Sequence, residues 1–266
     1  MIDGHVHSPY CPHGTSDSFD SYVEKAIEFG YDSLTFTEHA PLPSSFIDPV
    51  PLRDSGMDAN ALESYIRDLE KVKRSYAPDI NVQIGLEVDY IRGFEKETES
   101  LLNEYGPSLD DSILSVHFLP IHNDWYCIDY SSDMYKSALA AIGDQWQLYK
   151  LYFDILLQSV LTDLGSFKPN RIGHMTLIKK FQRLYEPPQG WEQMAESLLE
   201  SVRNKGMTLD YNGAGIKKEQ CKEAYPPINI ARKASAKGIP LIYGSDAHNS
   251  SSLKQGYSSI DTSIIR

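Results

Sequence analysis

Short apolar runs rich in β-branched and aromatic residues recur along the chain, separated by longer stretches whose apolar positions return every three to four residues. The runs are Ile2 to His7, Ser33 to Glu38, Asn81 to Val88, Ser112 to His117, Arg171 to Met175, Met207 to Tyr211 and Ile239 to Gly244. Their length and polar flanks predict buried strands. The intervening stretches predict helices. In the first, Ser16 and Asp17 offer N-caps, Val23, Ala26 and Ile27 form the apolar stripe, and Gly30 supplies the stop. A later helix places Met194, Leu198 and Val202 at i, i+4 and i+8 and ends before Gly206. The longest helical stretch runs from about Met134 to Leu164, with a break near Gly143.

Strands that alternate with helices pair in parallel, so the pattern predicts an α/β, barrel-like architecture without a linker or an internal repeat. Two segments interrupt it: 40–58, rich in Pro and Ser, and Phe118 to Tyr130, rich in aromatics. Each follows a histidine-bearing strand. In a barrel the loops after strands build the active-site face, so these two are the expected pocket walls.

Composition narrows the class. At 266 residues, 41% hydrophobic and 23% charged, the chain fits one soluble domain spanning 1–266. No apolar run approaches the roughly 18–20 residues of a membrane span, and the N-terminus has no basic n-region or apolar h-region. Cys11, Cys127 and Cys221 are odd in number and widely spaced, which fits a reducing cytoplasm. Cys11 lies near His13 but is read outside the ligand set. A net charge of −12 argues against binding a nucleic-acid backbone, while a small phosphorylated substrate stays open.

The histidines change the picture most. Seven of the eight sit in short, separate segments: Asp3-Gly4-His5-Val6-His7, Cys11-Pro12-His13, Glu38-His39, Ser115-Val116-His117, Gly173-His174 and Asp246-Ala247-His248. Glu87 and Asp246 occupy matching strand-end positions. Two residues at i, i+2 in an extended segment project from one face, so His5 and His7 can hold one ion together. Closing a parallel sheet would bring all of these residues to one rim. There a carboxylate such as Glu87 can bridge two cations about 3.5–4 Å apart. His122 lies in a polar loop and is read as uninvolved.

As a set these segments resemble the PHP (polymerase and histidinol phosphatase) superfamily, over nearly the whole chain. The resemblance implies a distorted seven-stranded (β/α)7 barrel with three divalent metal ions. Carried over residue by residue, it implies one ion on His5, His7, Glu87 and Asp246, a second on Glu87, His117 and His174, and a third on His13, His39 and His248. Zinc suits such a site, and iron or manganese accepts the same ligands. Thr37 to Pro41 and Asp210-Tyr211-Asn212-Gly213-Ala214-Gly215 look like the monofunctional histidinol-phosphate phosphatases. That likeness implies hydrolysis of L-histidinol phosphate to L-histidinol and phosphate, with a bridging hydroxide as nucleophile.

Around that chemistry further roles are expected. Glu87, Asp246 and His248 form the catalytic group, with Asp246 able to relay a proton while ligating. Arg171 can fork onto the phosphate or stand as a surface charge at a strand start, and Lys217 can contact the phosphate or share a solvated face with Lys218. Asn212 has two readings, a hydrogen bond to substrate or formation of the turn before Gly213. Asp3 is expected to orient a histidine by accepting its ring N–H. The alternatives are a PHP-type phosphoesterase acting on another small phosphate ester or on nucleotide ends, and a non-catalytic metal-binding protein. An amidohydrolase-type barrel also begins with His-x-His but leaves His13, His39 and His248 without a role.

Overall fold

In the computed structural model, which describes residues 1–266, all seven predicted runs contribute strands to one parallel sheet. In chain order the strands are β1 (Ile2–Val6), β2 (Ser33–His39), β3 (Asn81–Asp89), β4 (Ile113–Ser115), β5 (Phe118–Ile121), β6 (Asp124–Cys127), β7 (Arg171–Ile172), β8 (Thr208–Asn212) and β9 (Leu241–Gly244). The large sheet runs β1-β2-β3-β4-β7-β8-β9, each pair parallel. Its two edges then meet. Val6 bridges Ala247 in parallel, the His7 amide donates to the Ala247 carbonyl at 3.0 Å, and the Asp246 amide donates to the His5 carbonyl at 2.7 Å. The result is the nearly closed, seven-stranded α/β barrel that the sequence predicts.

Helices α1 (Phe19–Glu28), α2 (Leu62–Tyr76), α3 (Glu95–Tyr105), α4 (Ser132–Ile142), α5 (Gln145–Leu161), α6 (Trp191–Asn204), α7 (Ala214–Lys217) and α8 (Ile228–Ala236) fill the connections. The cap of α1 is Ser18, whose hydroxyl accepts from the Ser21 amide, and not Ser16 or Asp17. Asp17 instead accepts from the Ser250 amide, tying the loop after β1 to the loop after β9. Tyr22 joins Val23 and Ala26 on the buried face of α1, while Ile27 is partly exposed. The long helical stretch divides where expected. Gly143 takes φ +102°, and Asp144 caps α5 by accepting from the Gln147 amide at 2.9 Å. No helix is long and apolar enough to cross a membrane.

Two strands are shorter than their apolar runs. The runs Ser112 to His117 and Arg171 to Met175 yield only the ladders of β4 and β7. Beyond those ladders, side-chain carboxylates replace strand carbonyls as acceptors: the His117 amide donates to Asp89 Oδ1 and the His174 amide to Asp210 Oδ2, both at 3.3 Å. Segment 118–130 is a hairpin, β5 paired antiparallel with β6, and not an open loop. A small apolar cluster of Phe46, Val50, Ile91, Phe118 and Cys127 packs the hairpin against segment 40–58. Both segments are thereby held over the strand ends.

Arg171 stands at the opposite end of the barrel, and the expectation that it binds phosphate is corrected here. It opens β7, is 1% exposed, and pairs with Asp111, which precedes β4. Its guanidinium passes over Gly4, where a Cβ would lie 2.0 Å from Nη1. Arg171 therefore closes the N-terminal mouth of the barrel, and its charge is used in packing. Arg171→Met is expected to lower stability by about 1.5–3 kcal/mol, the range for a hydrogen bond to a charged group. Urea denaturation reads that loss, and competition by inorganic phosphate should stay unchanged. Weakened phosphate competition at unchanged stability would return Arg171 to the pocket.

Candidate metal centre

Glu87, near the end of β3, is 1% exposed and lies amid imidazoles. Oε2 lies 3.4 Å from His5 Nε2 and 3.5 Å from His7 Nε2, while Oε1 lies 2.8 Å from His174 Nε2 and 3.7 Å from His117 Nε2. Each carboxylate oxygen thus faces different histidines, and Oε2 also lies 3.2 Å from His39 Nδ1. Asp246 Oδ1 completes the first group, 3.8 Å from His5 Nε2 and 3.2 Å from His7 Nε2. Two donors that share an ion at about 2.1 Å sit roughly 3.0–3.4 Å apart; the 3.4 and 3.2 Å spacings lie in that range, and the others, from 2.8 to 3.8 Å, lie close to it. The Nε2 atoms of His5 and His7 are buried without a hydrogen-bond partner, as an inward-aimed donor pair requires.

The outer ring nitrogens are held by carboxylates. His5 Nδ1 donates to Asp210 Oδ2 at 2.8 Å, His7 Nδ1 to Glu38 Oε1 at 3.2 Å, and His117 Nδ1 to Asp89 Oδ1 at 2.8 Å. This arrangement fixes ring orientation and leaves Nε2 as the available donor. Sequence reasoning gave none of these three carboxylates a role, although Glu38 and Asp210 stand inside segments it quoted and Asp89 stands two residues after Glu87. Asp3, expected in this role, instead accepts from the Ser245 and His5 amides at 2.9 and 3.3 Å. It joins the loop after β9 to β1 and touches no imidazole ring, because its strand position places it beside the backbone where the two edges meet.

A third group lies alongside. Donor atoms of His7, Cys11, His39 and His248 all lie within 4.8 Å of one another. His13 flanks them, with ring centroids 5.0 Å from His39 and 5.2 Å from His248, and its Nδ1 donates to the Asp54 carbonyl at 2.9 Å. Both ring nitrogens of His39 are buried without a hydrogen bond, and Nδ1 lies 3.2 Å from Glu87 Oε2. The other two groups with this spacing are His5, His7 and Glu87, and Glu87, His117 and His174. All nine predicted ligand residues therefore converge within one cluster at the strand ends.

The field in the cluster favours positive charge. Burial disfavours a charged His5, yet Asp210, Glu87 and Asp246 outweigh it and push its pKa up to about 10. Burial likewise opposes charge on His117, but Asp89 and Glu87 raise it to about 10. For Glu87 and Asp246 burial acts upward, and the imidazoles pull both well below the usual carboxylate range. His39 is the exception: burial and its histidine neighbours hold it well below the normal imidazole value, as a neutral donor.

Above the cluster opens a cavity of about 450 Å³, lined at its base by His39, Glu87, His117, His174, Asp246 and His248. Asp54 and Ser55 from segment 40–58, Cys127 at the end of the hairpin, and Asp129 and Tyr130 just after it form part of its wall. Lys180 also lines it, with Nζ donating to Asp129 Oδ2 at 2.8 Å. Burial works against charge on Lys180, but Asp129 wins and raises its pKa.

The remaining expected contacts fall elsewhere. Lys217 is exposed outside the lining, because α7 turns its neighbour Lys218 to the cavity instead. Asn212 is fully buried; its amide donates to Asp246 Oδ2 at 3.2 Å and Asp210 Oδ2 at 3.1 Å, and its carbonyl oxygen accepts from the Ala214 amide. It forms the turn and steadies Asp246, which takes φ +54° at this bend. His122 bonds the Ala141 carbonyl, away from the cluster.

The PHP domain family matches residues 3–214. The chain is 41% identical to the histidinol-phosphatase of Bacillus subtilis, covering 96% of each. It is 32% identical to a probable histidinol-phosphatase of Deinococcus radiodurans, covering 93% of this chain and 86% of the relative. A crystal structure from Listeria monocytogenes, named as a candidate histidinol phosphatase, superposes with TM-score 0.94 at 37% identity, covering 97% and 99%. The Lactococcus lactis histidinol phosphate phosphatase, crystallised with zinc, L-histidinol and phosphate, shares the fold at TM-score 0.69 and 18% identity, covering 94% and 86%. Strand-end donor residues, barrel closure and these likenesses agree, and the chain belongs to the PHP domain family, among its histidinol-phosphatases.

Proposed function

We propose that this protein is a metal-dependent phosphatase that hydrolyses L-histidinol phosphate to L-histidinol and phosphate. The observation that carries the reading is Glu87, which offers separate oxygens to two histidine pairs at the base of the cavity. The relatives named histidinol-phosphatase support the substrate. His5, His7, Glu87 and Asp246 would hold one cation, Glu87, His117 and His174 a second, and His13, His39 and His248 a third. Zinc fits the imidazole-rich set, and iron or manganese accepts it as well. Such cations supply charge that neutralises the phosphoryl oxygens and activates water.

The chain's own residues supply position. Asn212 fixes one oxygen of Asp246 while the other faces His7, so Asp246 is a rim carboxylate held ready to accept or relay a proton. His248 acts as a ligand. Lys180 replaces Arg171 and Lys217 as the cation for the phosphate, since it alone of the three lines the cavity. Beside it, Asp129 complements the cationic histidinol moiety. The three buried free thiols suit a reducing compartment, and we place the enzyme in the cytoplasm.

Metal-reconstituted protein should release phosphate from L-histidinol phosphate far faster than from a generic aryl phosphate. Glu87→Gln should lose metal content and reduce kcat by more than the about 10²–10³-fold cost of removing one electrostatic stabiliser. Release from the aryl ester alone would keep the phosphoesterase and remove the histidinol assignment. Lys180→Met should raise the KM for L-histidinol phosphate by roughly 10- to 150-fold, the equivalent of one charge-assisted hydrogen bond. An unchanged KM would take Lys180 out of contact with the substrate.

A further inference from the structure

Cys11 is carried into the histidine cluster by the turns that follow β1. Its amide donates to the Ser8 carbonyl at 3.0 Å, and its own carbonyl accepts from the Gly14 amide at 3.2 Å. Pro12 restricts the backbone between them. At Gly14 a Cβ would sit 2.9 Å from Cys11 Cβ and 3.4 Å from Sγ, so the turn closes tightly around the thiol.

The residue is 7% exposed, yet its surroundings are not those of a thiol packed as a small hydrophobe. Sγ lies within 4.8 Å of donor atoms of His7, His39 and His248. Independently, His39 Nε2, in a residue 8% exposed, is buried without a hydrogen-bond partner, while Nδ1 lies 3.2 Å from Glu87 Oε2. His7 Nε2 is committed to the Glu87 and Asp246 side. Sulfur is therefore the additional donor beside His13, His39 and His248.

We propose that Cys11 is a thiolate ligand of the third cation, which turns an all-nitrogen set of His13, His39 and His248 into three nitrogens and one sulfur. The proposal rests on the three-cation reading above and deepens it. On binding, the thiol proton passes to solvent as the sulfur–metal bond forms. Soft thiolate favours zinc, whereas the Glu87-bridged positions offer only nitrogen and oxygen and accept manganese or iron as readily. The protein then has one zinc-selective position beside two permissive ones.

Cobalt(II) is the probe. The apo-protein would be titrated with Co²⁺ and followed by near-ultraviolet absorption, with bound metal counted by elemental analysis. The expected result is three ions per chain and a sulfur-to-cobalt charge-transfer band that survives Cys127→Ser, whose thiol also borders the cavity, and disappears in Cys11→Ser. Zinc affinity of one of the three positions should fall in Cys11→Ser by at least the about 10- to 100-fold that losing a mere supporting partner costs. Three bound ions without the band in the unaltered protein would overturn the sulfur ligand and leave the three-cation reading intact. Fewer than three ions would overturn both. The band needs no variant, so a folding defect in Cys11→Ser would leave the decision with the unaltered protein.

Discussion

A carboxylate buried among imidazoles is the constraint on which the rest of the structure depends. Glu87 lies at 1% exposure with His5, His7, His39, His117 and His174 close around its oxygens. Burying such a charge costs several kcal/mol unless opposite charge or hydrogen bonds compensate. Those histidines come from strands or strand ends as far apart in sequence as residues 5 and 174. Only a sheet that curls until β1 meets the end of β9 brings them together. Barrel closure and site assembly are therefore one event, joined by the His7 to Ala247 and Asp246 to His5 backbone bonds.

The acids behind the histidines make the arrangement selective for cations. Asp210, Glu38 and Asp89 aim three rings inward, and with Glu87 and Asp246 they put several negative charges around few exposed atoms. Asp89 and Asp210 also accept the backbone amides of His117 and His174, so the same carboxylates end the ladders and orient the rings. The network ties local backbone geometry to ligand geometry. Above it, Lys180 and Asp129 set opposite charges on the cavity wall, which complements a substrate with an anionic phosphate and a cationic amine.

Much of this was legible in the sequence because it followed from simple periodicity. Apolar runs located the strands, and histidines at their ends located the cluster, since parallel strands present one rim. Less legible was whatever depended on which end of a strand faces the site. Arg171 precedes His174 by three residues, yet strand direction sends it to the other mouth of the barrel, where Asp111 receives it. Asp3 sits two residues from His5 but reaches the backbone across the closure instead of a ring. Lys180 and Asp129 had no motif at all: they come together at the cavity wall from the connections after β7 and β6. Cys11 was read outside the ligand set, yet the turn after β1 brings its sulfur within 4.8 Å of donor atoms of His7, His39 and His248.

The most direct test of the central claim is a crystal structure of the metal-loaded protein with anomalous scattering measured at the metal edges. The account predicts two ions about 3.5–4 Å apart, one against each oxygen of Glu87. A third would lie by His13, His39 and His248. A single ion, or ions that leave Glu87 uncoordinated, would contradict it.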